Sequence, residues 1–338
     1  MRMRLISLTI ATIILAWQSG TSLTAQEVKL RYGIGSVSFA YAPLYVAEDK
    51  GFFKKQGLTV ESIQLAGSSA AASATISGNV QFYVGLPQTA ALAIAKGEKL
   101  STFAVVTKEY GSDIVVSKEI ADRLHLNQNM PVEMRLSALK GLKIAGWTPG
   151  GSPDMLIRFI AAKMNWKAES DLTILPIGPS GPMLAALENK RVDAFVFSAP
   201  TSLEAVQRSG AFLLYSGAKG EWPPLKNEPY MCLIGNTEWL ANNKDAATAV
   251  YQGLWQAMEF MKSNPAEAKE LIRGRLSSFN NEAFENGYRD VPLLVPASPK
   301  IDLGDAKAIK DFVETLNPTL NIPLGSLVNE EIGRSAKL

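Results

Sequence analysis

The chain has 338 residues, of which 47% are hydrophobic and 20% are charged, an ordinary globular composition with enough length for two domains. Its formal net charge is +2, and it contains one histidine and one cysteine. These values exclude a strongly basic surface for nucleic acid, a metal site made of several histidines and an internal disulfide.

Residues 1–25 predict a secretory signal peptide that is cleaved after Ala25. Residues 1–4 are basic, residues 5–17 are mostly apolar, and residues 18–25 are polar and end in a small residue. The apolar run is too short to cross a bilayer comfortably, which disfavours an uncleaved anchor. Because no cysteine follows the run, a lipid anchor is not expected. We therefore expect a periplasmic protein.

The next part of the chain alternates strands and helices. A strand at Val28–Gly33 leads to the Ser-rich loop Ser36–Tyr41, and a helix from Pro43 is closed by Gly51. The pattern then predicts a strand at 59–65, a helix at 70–76, a strand at 80–85, a helix at 89–96 and strands at 102–107 and 113–117. We place the crossing into a second lobe between the last two strands, at about 108–112.

The same plan follows a polar connector at 121–138. A strand ends at Gly146, and the Gly/Pro loop Trp147–Ser152 opens a helix that reaches about Met164. We expect Ser152 to be the N-cap and Pro153 the first helical residue. Strands at 172–177, 192–197 and 211–215, helices at 183–188 and 201–209, a loop at 216–229 and a return strand at 230–235 complete this part.

These two parts form an internal repeat. Gly146, Gly178 and Val192 follow Gly35, Gly67 and Val80 by 111 or 112 residues. Two similar β–α–β–α–β lobes, each with loops at its strand ends, would make a ligand cleft between them.

The remainder, from Asn236, is predicted to be helical. Asp245 is expected to cap a long helix that ends at about Ser263, Pro265 to start another, and residues 280–338 to add two or three more. The single cysteine, Cys232, lies in an apolar run and is expected to be a buried small hydrophobe.

The residues then show a family resemblance. The segment Ala42-Pro43-Leu44-Tyr45-Val46-Ala47-Glu48-Asp49-Lys50-Gly51-Phe52-Phe53 resembles the first helix of nitrate/sulfonate/taurine-type solute-binding proteins of ABC importers. The resemblance continues through 67–69, 84–97 and 139–144, the Pro149–Ser152 loop, and 192–194.

The resemblance implies an α/β, type II periplasmic-binding-protein fold, with two Rossmann-like lobes and a ligand cleft between them. It assigns residues 26–109 and about 236–338 to lobe I and about 110–235 to lobe II. It also implies a monomer that binds a small-molecule ligand and docks on an ABC transporter permease, without a cofactor, metal or nucleic acid. The expected ligand-binding residues lie in the loops after the strands: Ser38, Phe39, Tyr41, Ser68, Ser69, Gln88, Thr89, Trp147, Thr148, Gly151, Ser152 and Ser198.

The cleft loops contain Ser, Thr and Gly, several aromatic residues and no Lys or Arg. Neutral donors and helix N-termini can still hold an anion, and aromatic rings suit an organic body beside it. We therefore expect a small anionic organic ligand such as a sulfonate or carboxylate. Phe197, at a buried strand end, fits core packing as well as ligand contact.

The sequence disfavours an enzyme or a dinucleotide-binding protein and leaves two other binding functions open. An enzyme lacks support because His125 lies in the polar connector, where a surface position is expected, and the loops hold no Ser–His–acid set or carboxylate pair. Gly33-Ile34-Gly35-Ser36-Val37-Ser38 lacks the third glycine of a dinucleotide site. The pyrimidine-forming enzymes related to this family need a Cys-rich motif that Cys232 cannot supply. A vitamin-precursor (thiamine pyrimidine-type) binding protein and a ligand-sensing module for a membrane kinase remain as alternatives.

Overall fold

The computed structural model describes residues 28–337, so the predicted signal peptide lies outside the described residues. Ten strands form two five-stranded sheets. They are β1 Val28–Ile34, β2 Leu58–Gln64, β3 Phe82–Gly85, β4 Leu100–Thr107, β5 Asp113–Val116, β6 Lys143–Gly146, β7 Thr173–Pro176, β8 Ala194–Phe197, β9 Phe212–Tyr215 and β10 Met231–Asn236.

Eighteen α-helical segments surround the sheets in the described part of the chain. They are α1 Ala42–Asp49, α2 Phe52–Lys55, α3 Gly67–Ile76, α4 Pro87–Ile94, α5 Lys118–Arg123, α6 Val132–Ser137, α7 Ser152–Lys163, α8 Ala168–Asp171, α9 Gly181–Glu188, α10 Thr201–Ser209, α11 Thr237–Asn242, α12 Lys244–Ser263, α13 Pro265–Arg275, α14 Asn281–Tyr288, α15 Val291–Leu294, α16 Leu303–Leu316, α17 Leu324–Leu327 and α18 Glu330–Ser335. Between residues 28 and 337, no helix is both long and apolar enough to cross a membrane.

The two sheets have the same topology, which confirms the predicted repeat. Their strand orders are β2-β1-β3-β10-β4 and β7-β6-β8-β5-β9. In each sheet the first three strands are parallel, and the fourth is antiparallel to both of its neighbours. The register repeats as well: Gly33 lies opposite Ile63 and Tyr83, and Ala145, 112 residues further on, lies opposite Leu175 and Phe195.

The antiparallel strands β10 and β5 mark the two passages between the lobes. The chain leaves the first sheet after β4, crosses through residues 108–112 and enters the second sheet as β5. It returns through residues 216–230 and pairs as β10 between β3 and β4. Both passages therefore lie between the sheets, next to the carboxyl ends of β1, β3, β6 and β8.

The C-terminal segment covers the edge of the first sheet. Every residue of β4 is buried although the strand is at the sheet edge, because α17 and α18 pack on it and Thr102 bridges to Val328. This covering protects an edge that would otherwise expose unpaired backbone groups. Residues 280–337 form five helices, α14 to α18, which is more than the two or three expected.

Helix α16 contacts both lobes through α4 and α7. The Phe312 ring stacks on Phe159 of α7, with 4.2 Å between ring centroids, and on Tyr110 of the first passage at 5.4 Å. These rings form a contact between the two lobes in addition to the two chain passages.

Two predicted caps are wrong. Gly151 is at the N-cap position of α7, and Ser152 is the first helical residue, with a side chain that points to other hydroxyls instead of the backbone. Helix α12 begins at Lys244 after Asn243, without a side-chain cap from Asp245. The predicted exposure of His125 and full burial of Cys232 are confirmed.

Candidate ligand-binding site

A polar cavity lies between the two lobes, where the loops after their strands meet. The centre of a water-sized sphere can move through about 30 Å³ of this cavity, which is enough space for one or two waters or a very small ligand. A ligand of more than a few atoms would require the lobes or side chains to move. The cavity is lined by Gly35, Ser36, Ser38, Ala40, Tyr41 and Ser68 from the first lobe, Trp147, Ser152, Pro153, Phe197 and Ser198 from the second, Ser112 and Tyr230 from the passages, and Met231 from the start of β10.

Local structure after β1 positions the first-lobe hydroxyls. Ser38 has extended backbone angles, and its hydroxyl caps the short 3₁₀ helix Phe39–Tyr41 by accepting the Ala40 N–H at 3.3 Å. The 3₁₀ turn returns the Tyr41 hydroxyl to the Gly35 N–H, also at 3.3 Å. Gly35 has no side chain, which allows this loop to approach Gly67: a Cβ at position 35 would lie 3.1 Å from the Gly67 Cα.

Three buried hydroxyls in the first lobe can donate to a ligand. The oxygens of Tyr41 and Ser38 accept the N–H groups already described, and the oxygen of Ser68 accepts the Leu86 N–H at 3.2 Å. A hydroxyl that accepts a backbone N–H still has its own proton to donate. Since all three side chains line the cavity, the first lobe presents donors that suit an anionic or acceptor-rich group.

The second wall centres on the Tyr230 hydroxyl. It lies 2.8 Å from the Ser198 hydroxyl, 2.9 Å from that of Ser112 and 3.3 Å from that of Ser152. Ser112 and Ser152 are also 3.0 Å apart, so the four hydroxyls form one buried network. Burial raises the pKa of Tyr230, although hydrogen bonds with the three serines oppose the increase. The network therefore stays uncharged and can rotate its protons toward a ligand.

Trp147 and Phe197 form the aromatic part of the cavity. Their ring centroids are 5.8 Å apart, Phe197 is buried in the apolar core of the second lobe, and Trp147 is half-buried. Phe197 therefore belongs both to the core of the second lobe and to the cavity wall, the two positions expected from the sequence. This surface suits the apolar body of an organic ligand.

The lobes touch directly at the edge of the cavity. The Thr89 hydroxyl donates to the Gly150 carbonyl at 2.8 Å, and the Ser69 hydroxyl donates to the Pro149 carbonyl at 3.2 Å. Gly67 faces Thr148 and the Trp147 ring at the same boundary. These contacts describe a closed arrangement of the two lobes.

The structure places six of the twelve predicted ligand residues on the cavity wall: Ser38, Tyr41, Ser68, Trp147, Ser152 and Ser198. The other six lie nearby in different contacts. Phe39 packs on Phe284, with centroids 5.3 Å apart, and lines an adjacent cavity. Ser69 and Thr89 make hydrogen bonds between the lobes, and Gly151 precedes α7. Thr148 lies at the same boundary, and its hydroxyl has no hydrogen-bond partner within residues 28–337.

Gln88 is turned away from the cavity. It is fully buried, and its amide donates to the Glu228 carboxylate at 2.5 Å and to the Pro229 carbonyl at 3.3 Å. Burial raises the pKa of Glu228 to about 8, while the bond from Gln88 lowers it. Gln88 therefore connects the first lobe to the return passage.

Sequence reasoning missed Ser112 and Tyr230 because neither lies in a loop directly after a parallel strand. Both lie in the passages, one on the way out and one on the way back. In a fold with two crossings the passages run beside the cleft, and that topology could have indicated polar residues such as these.

The wall of the cavity presents uncharged groups to a ligand. None of the described residues that line the cavity is charged, and no group of three His, Cys, Asp or Glu in residues 28–337 could hold a metal. The buried carboxylate of Asp113 lines an adjacent cavity that shares Ala40 and Ser198 with this one. Burial raises the pKa of Asp113 to about 7, against hydrogen bonds that lower it.

Two α/β lobes with a polar cavity between them define the periplasmic-binding-protein fold, and comparison with solved structures agrees. A protein from Bordetella bronchiseptica RB50 matches with a TM-score of 0.79 and 22% identity over 91% of this chain and 96% of that one. The alkanesulfonate-binding protein SsuA from Xanthomonas axonopodis pv. citri, bound to MOPS, matches with a TM-score of 0.68 and 18% identity over 88% and 96%.

The chain belongs to the NMT1-like family, whose model matches residues 25–274. Its relatives include the bicarbonate-binding protein CmpA of Synechococcus elongatus, 26% identical over 75% of this chain, and the nitrate/nitrite binding protein NrtA of Nostoc sp., 23% identical over 81%. The aligned parts cover 58% of CmpA and 62% of NrtA, so these relatives are considerably longer than the matched region. They are solute-binding proteins, in agreement with the family resemblance seen in the sequence.

Proposed function

We propose that the protein is a periplasmic solute receptor that binds a small anionic organic ligand, such as a sulfonate or carboxylate, and delivers it to the permease of an ABC transporter. The observation that supports this most is the cavity between the lobes, which is rich in hydroxyl donors and has no charged residue among its described lining residues. The ligands named for the relatives, bicarbonate, nitrate and alkanesulfonate, are consistent with this chemistry.

The anionic group would bind the hydroxyls of Ser38, Tyr41 and Ser68 on one side and the Tyr230 network on the other. Charge-assisted hydrogen bonds of this kind are stronger than neutral ones. The apolar part of the ligand would lie against Trp147 and Phe197. Ser69 and Thr89 would act by holding the lobes together, since their hydroxyls bond to the opposite lobe.

Residues 26–109 and about 236–338 would form lobe I, and residues of about 110–235 lobe II. Ligand binding would stabilise the closed arrangement because the cavity is complete only when both lobes contribute to it. The mature protein would act as a monomer without a cofactor and without catalysis, after removal of residues 1–25. The solvent-exposed position of His125 supports the absence of a histidine-based reaction at the cleft.

The first test is a thermal-shift panel on the purified mature protein. It would contain methanesulfonate, ethanesulfonate, acetate, propionate, nitrate, bicarbonate and a hydroxymethylpyrimidine. A ligand at 100 times its Kd stabilises the folded state by about 2.7 kcal/mol, which raises the Tm measurably. Native mass spectrometry of freshly purified protein would reveal a retained ligand.

The outcomes separate the possible functions. A shift with an anion supports the proposal, whereas a shift with the pyrimidine alone favours a vitamin-precursor receptor. Chemical conversion of a bound compound would indicate an enzyme. No shift with any compound and no retained ligand would contradict the proposal. A permease and an ATPase encoded beside this chain would favour uptake, and a membrane kinase would favour sensing.

A further inference from the structure

We propose that the cavity selects ligands by charge: it accepts one negative charge and rejects two. This inference rests on the proposed function, because it concerns the ligand class of the same cavity. It follows from the donors that the wall offers and from the carboxylates that lie behind it.

The wall offers only neutral donors to an anion. Its donors are serine and tyrosine hydroxyls and backbone N–H groups, and none of the described lining residues is Lys or Arg. The basic residue of the first passage, Lys108, is paired with Asp305 at 2.9 Å. Hydroxyls can replace much of the hydration of a single charge. The cost of removing an ion from water rises with the square of its charge, whereas the number of donors here stays the same.

Asp113 places a buried carboxyl group behind one wall of the cavity, and this group is mostly ionised only above its pKa of about 7. It is only 4% exposed, and it lines the adjacent cavity whose boundary, Ala40 and Ser198, is shared with the ligand cavity. Its oxygens accept the Ser202 hydroxyl at 2.5 Å and the Gly217 N–H at 3.1 Å, both neutral donors. A negative charge at this position is therefore balanced only by dipoles and would repel an anion in the cavity.

The field of Asp113 reaches the cavity wall. Burial is the main cause of the raised pKa of Tyr230, and the Asp113 carboxylate adds to it. The titratable groups that face Asp113 are Asp290, from the segment between α14 and α15, and the hydroxyls of Tyr215 and Tyr230. None of the described residues that line its cavity is basic, so no cation there offsets its charge.

Glu228 adds a second buried carboxylate on the return passage, two residues before Tyr230. Its carboxylate accepts the Gln88 amide, and burial raises its pKa to about 8, so it is mostly ionised only above that pH. Asp305 and Asp311 raise this pKa further, and Lys108 lowers it. Coulomb repulsion inside a protein is weakly screened compared with water, and it doubles for a ligand with two charges. A dianion would thus find the same hydrogen-bond donors as a monoanion. It would lose more hydration free energy and would be repelled twice as strongly by the ionised carboxylates of Asp113 and Glu228.

The test compares two ligands of the same shape, methanesulfonate and methylphosphonate, in which a methyl group is bonded to a tetrahedral XO₃ centre. At roughly pH 9 methylphosphonate has two negative charges, and at roughly pH 5.5 it has one. Methanesulfonate keeps one charge throughout and so reports any change in the protein itself. Affinities are measured by isothermal titration calorimetry.

We expect methanesulfonate to bind at least about 100-fold more tightly than methylphosphonate at the higher pH, and within about tenfold at the lower pH. Asp113→Asn should reduce the preference at the higher pH by at least about tenfold. Asp122→Asn is the matched control, because Asp122 is an exposed residue of α5 paired with Lys118, and it should leave the preference unchanged. If Asp113→Asn does not fold, Asp290→Asn, at a half-buried residue, should reduce the preference in the same direction.

Equal binding of the two compounds by the wild type at the higher pH would overturn the charge selection and leave the anion receptor standing. An unchanged preference in the folded Asp113 and Asp290 variants would overturn the role of these carboxylates and with it the inference. Binding of neither compound would also overturn it. The wider ligand panel then decides separately whether the proposed receptor function fails as well.

Discussion

Closure of the lobes depends on the missing side chain of Gly67, and Gly67→Ala tests this directly. Gly67 begins α3 with φ of +86°, and a Cβ there would lie 3.1 Å from the Thr148 hydroxyl and 3.7 Å from two Trp147 ring atoms. Thr148 would have to move by a few tenths of an ångström, away from the first lobe. A methyl group at this position therefore acts as a wedge between the lobes.

The substitution also has a cost that is unrelated to closure. An L-residue at positive φ loses roughly 1–2 kcal/mol of stability. Gly78→Ala provides the control for this term, because Gly78 has φ of +77° and open space within 4 Å of its Cβ position. The two variants should lose similar amounts of free energy of unfolding in urea denaturation. Only Gly67→Ala should shift the equilibrium between the open and closed arrangements of the lobes.

We expect Gly67→Ala to weaken ligand binding by about tenfold, which corresponds to about 1.4 kcal/mol taken from the closed state. Calorimetry with the best ligand of the panel measures the affinity. Small-angle X-ray scattering without ligand should show a larger radius of gyration for Gly67→Ala than for the wild type or Gly78→Ala. If both alanine variants matched in affinity and in radius, the contact between Gly67 and the second lobe would have no part in closure.

Three further results are expected. Trp147→Ala should reduce affinity at least tenfold, about 1.4 kcal/mol, with an unchanged far-UV circular dichroism spectrum, and unchanged affinity would assign Trp147 to packing alone. Tyr230→Phe should keep the ring packing but remove the shared partner of three serines, so affinity measured by calorimetry on the folded variant should fall by roughly tenfold or more, and the Tm should fall as well because buried hydroxyls lose a partner. Because the pKa of Glu228 is about 8 in the fold against an ordinary 4.5, the folded state binds more protons between these values, and stability should fall as pH rises through this window. Urea denaturation at about pH 5 and pH 8.5 should show this fall, and Glu228→Gln should reduce it; an identical pH profile in the variant would refute the role of Glu228.

The lobes and their order were predictable because the repeat has local signals. Strand alternation, turn glycines and the offset of about 112 residues each lie within short stretches of chain, and the register pairs of Gly33 and Ala145 follow the same offset. Most strand and helix bounds differ from the predictions by one to three residues, the range expected where propensity alone decides the end of an element.

The details of the candidate site depend on contacts between distant segments, which local patterns do not encode. Ser152 has the sequence signature of an N-cap, but hydroxyls 40 and 78 residues away in sequence compete for its side chain. Gln88 is in the right loop, yet a buried carboxylate 140 residues away orients it out of the cavity. Only the meeting of the lobes and passages determines these orientations.

The stack of Phe312 between Tyr110 and Phe159 has a consequence for the speed of ligand exchange. Two chain passages alone would allow the lobes to swing apart with little resistance. Besides the bonds of Ser69 and Thr89, these stacked, buried rings must slide or separate whenever the lobes open, so we expect them to add to the barrier for opening. Replacement of Phe312 by a smaller side chain should accelerate both association and dissociation of the ligand while leaving the ratio of the two rate constants nearly unchanged. Time-resolved binding measurements would thus detect a property of this protein that equilibrium titrations miss.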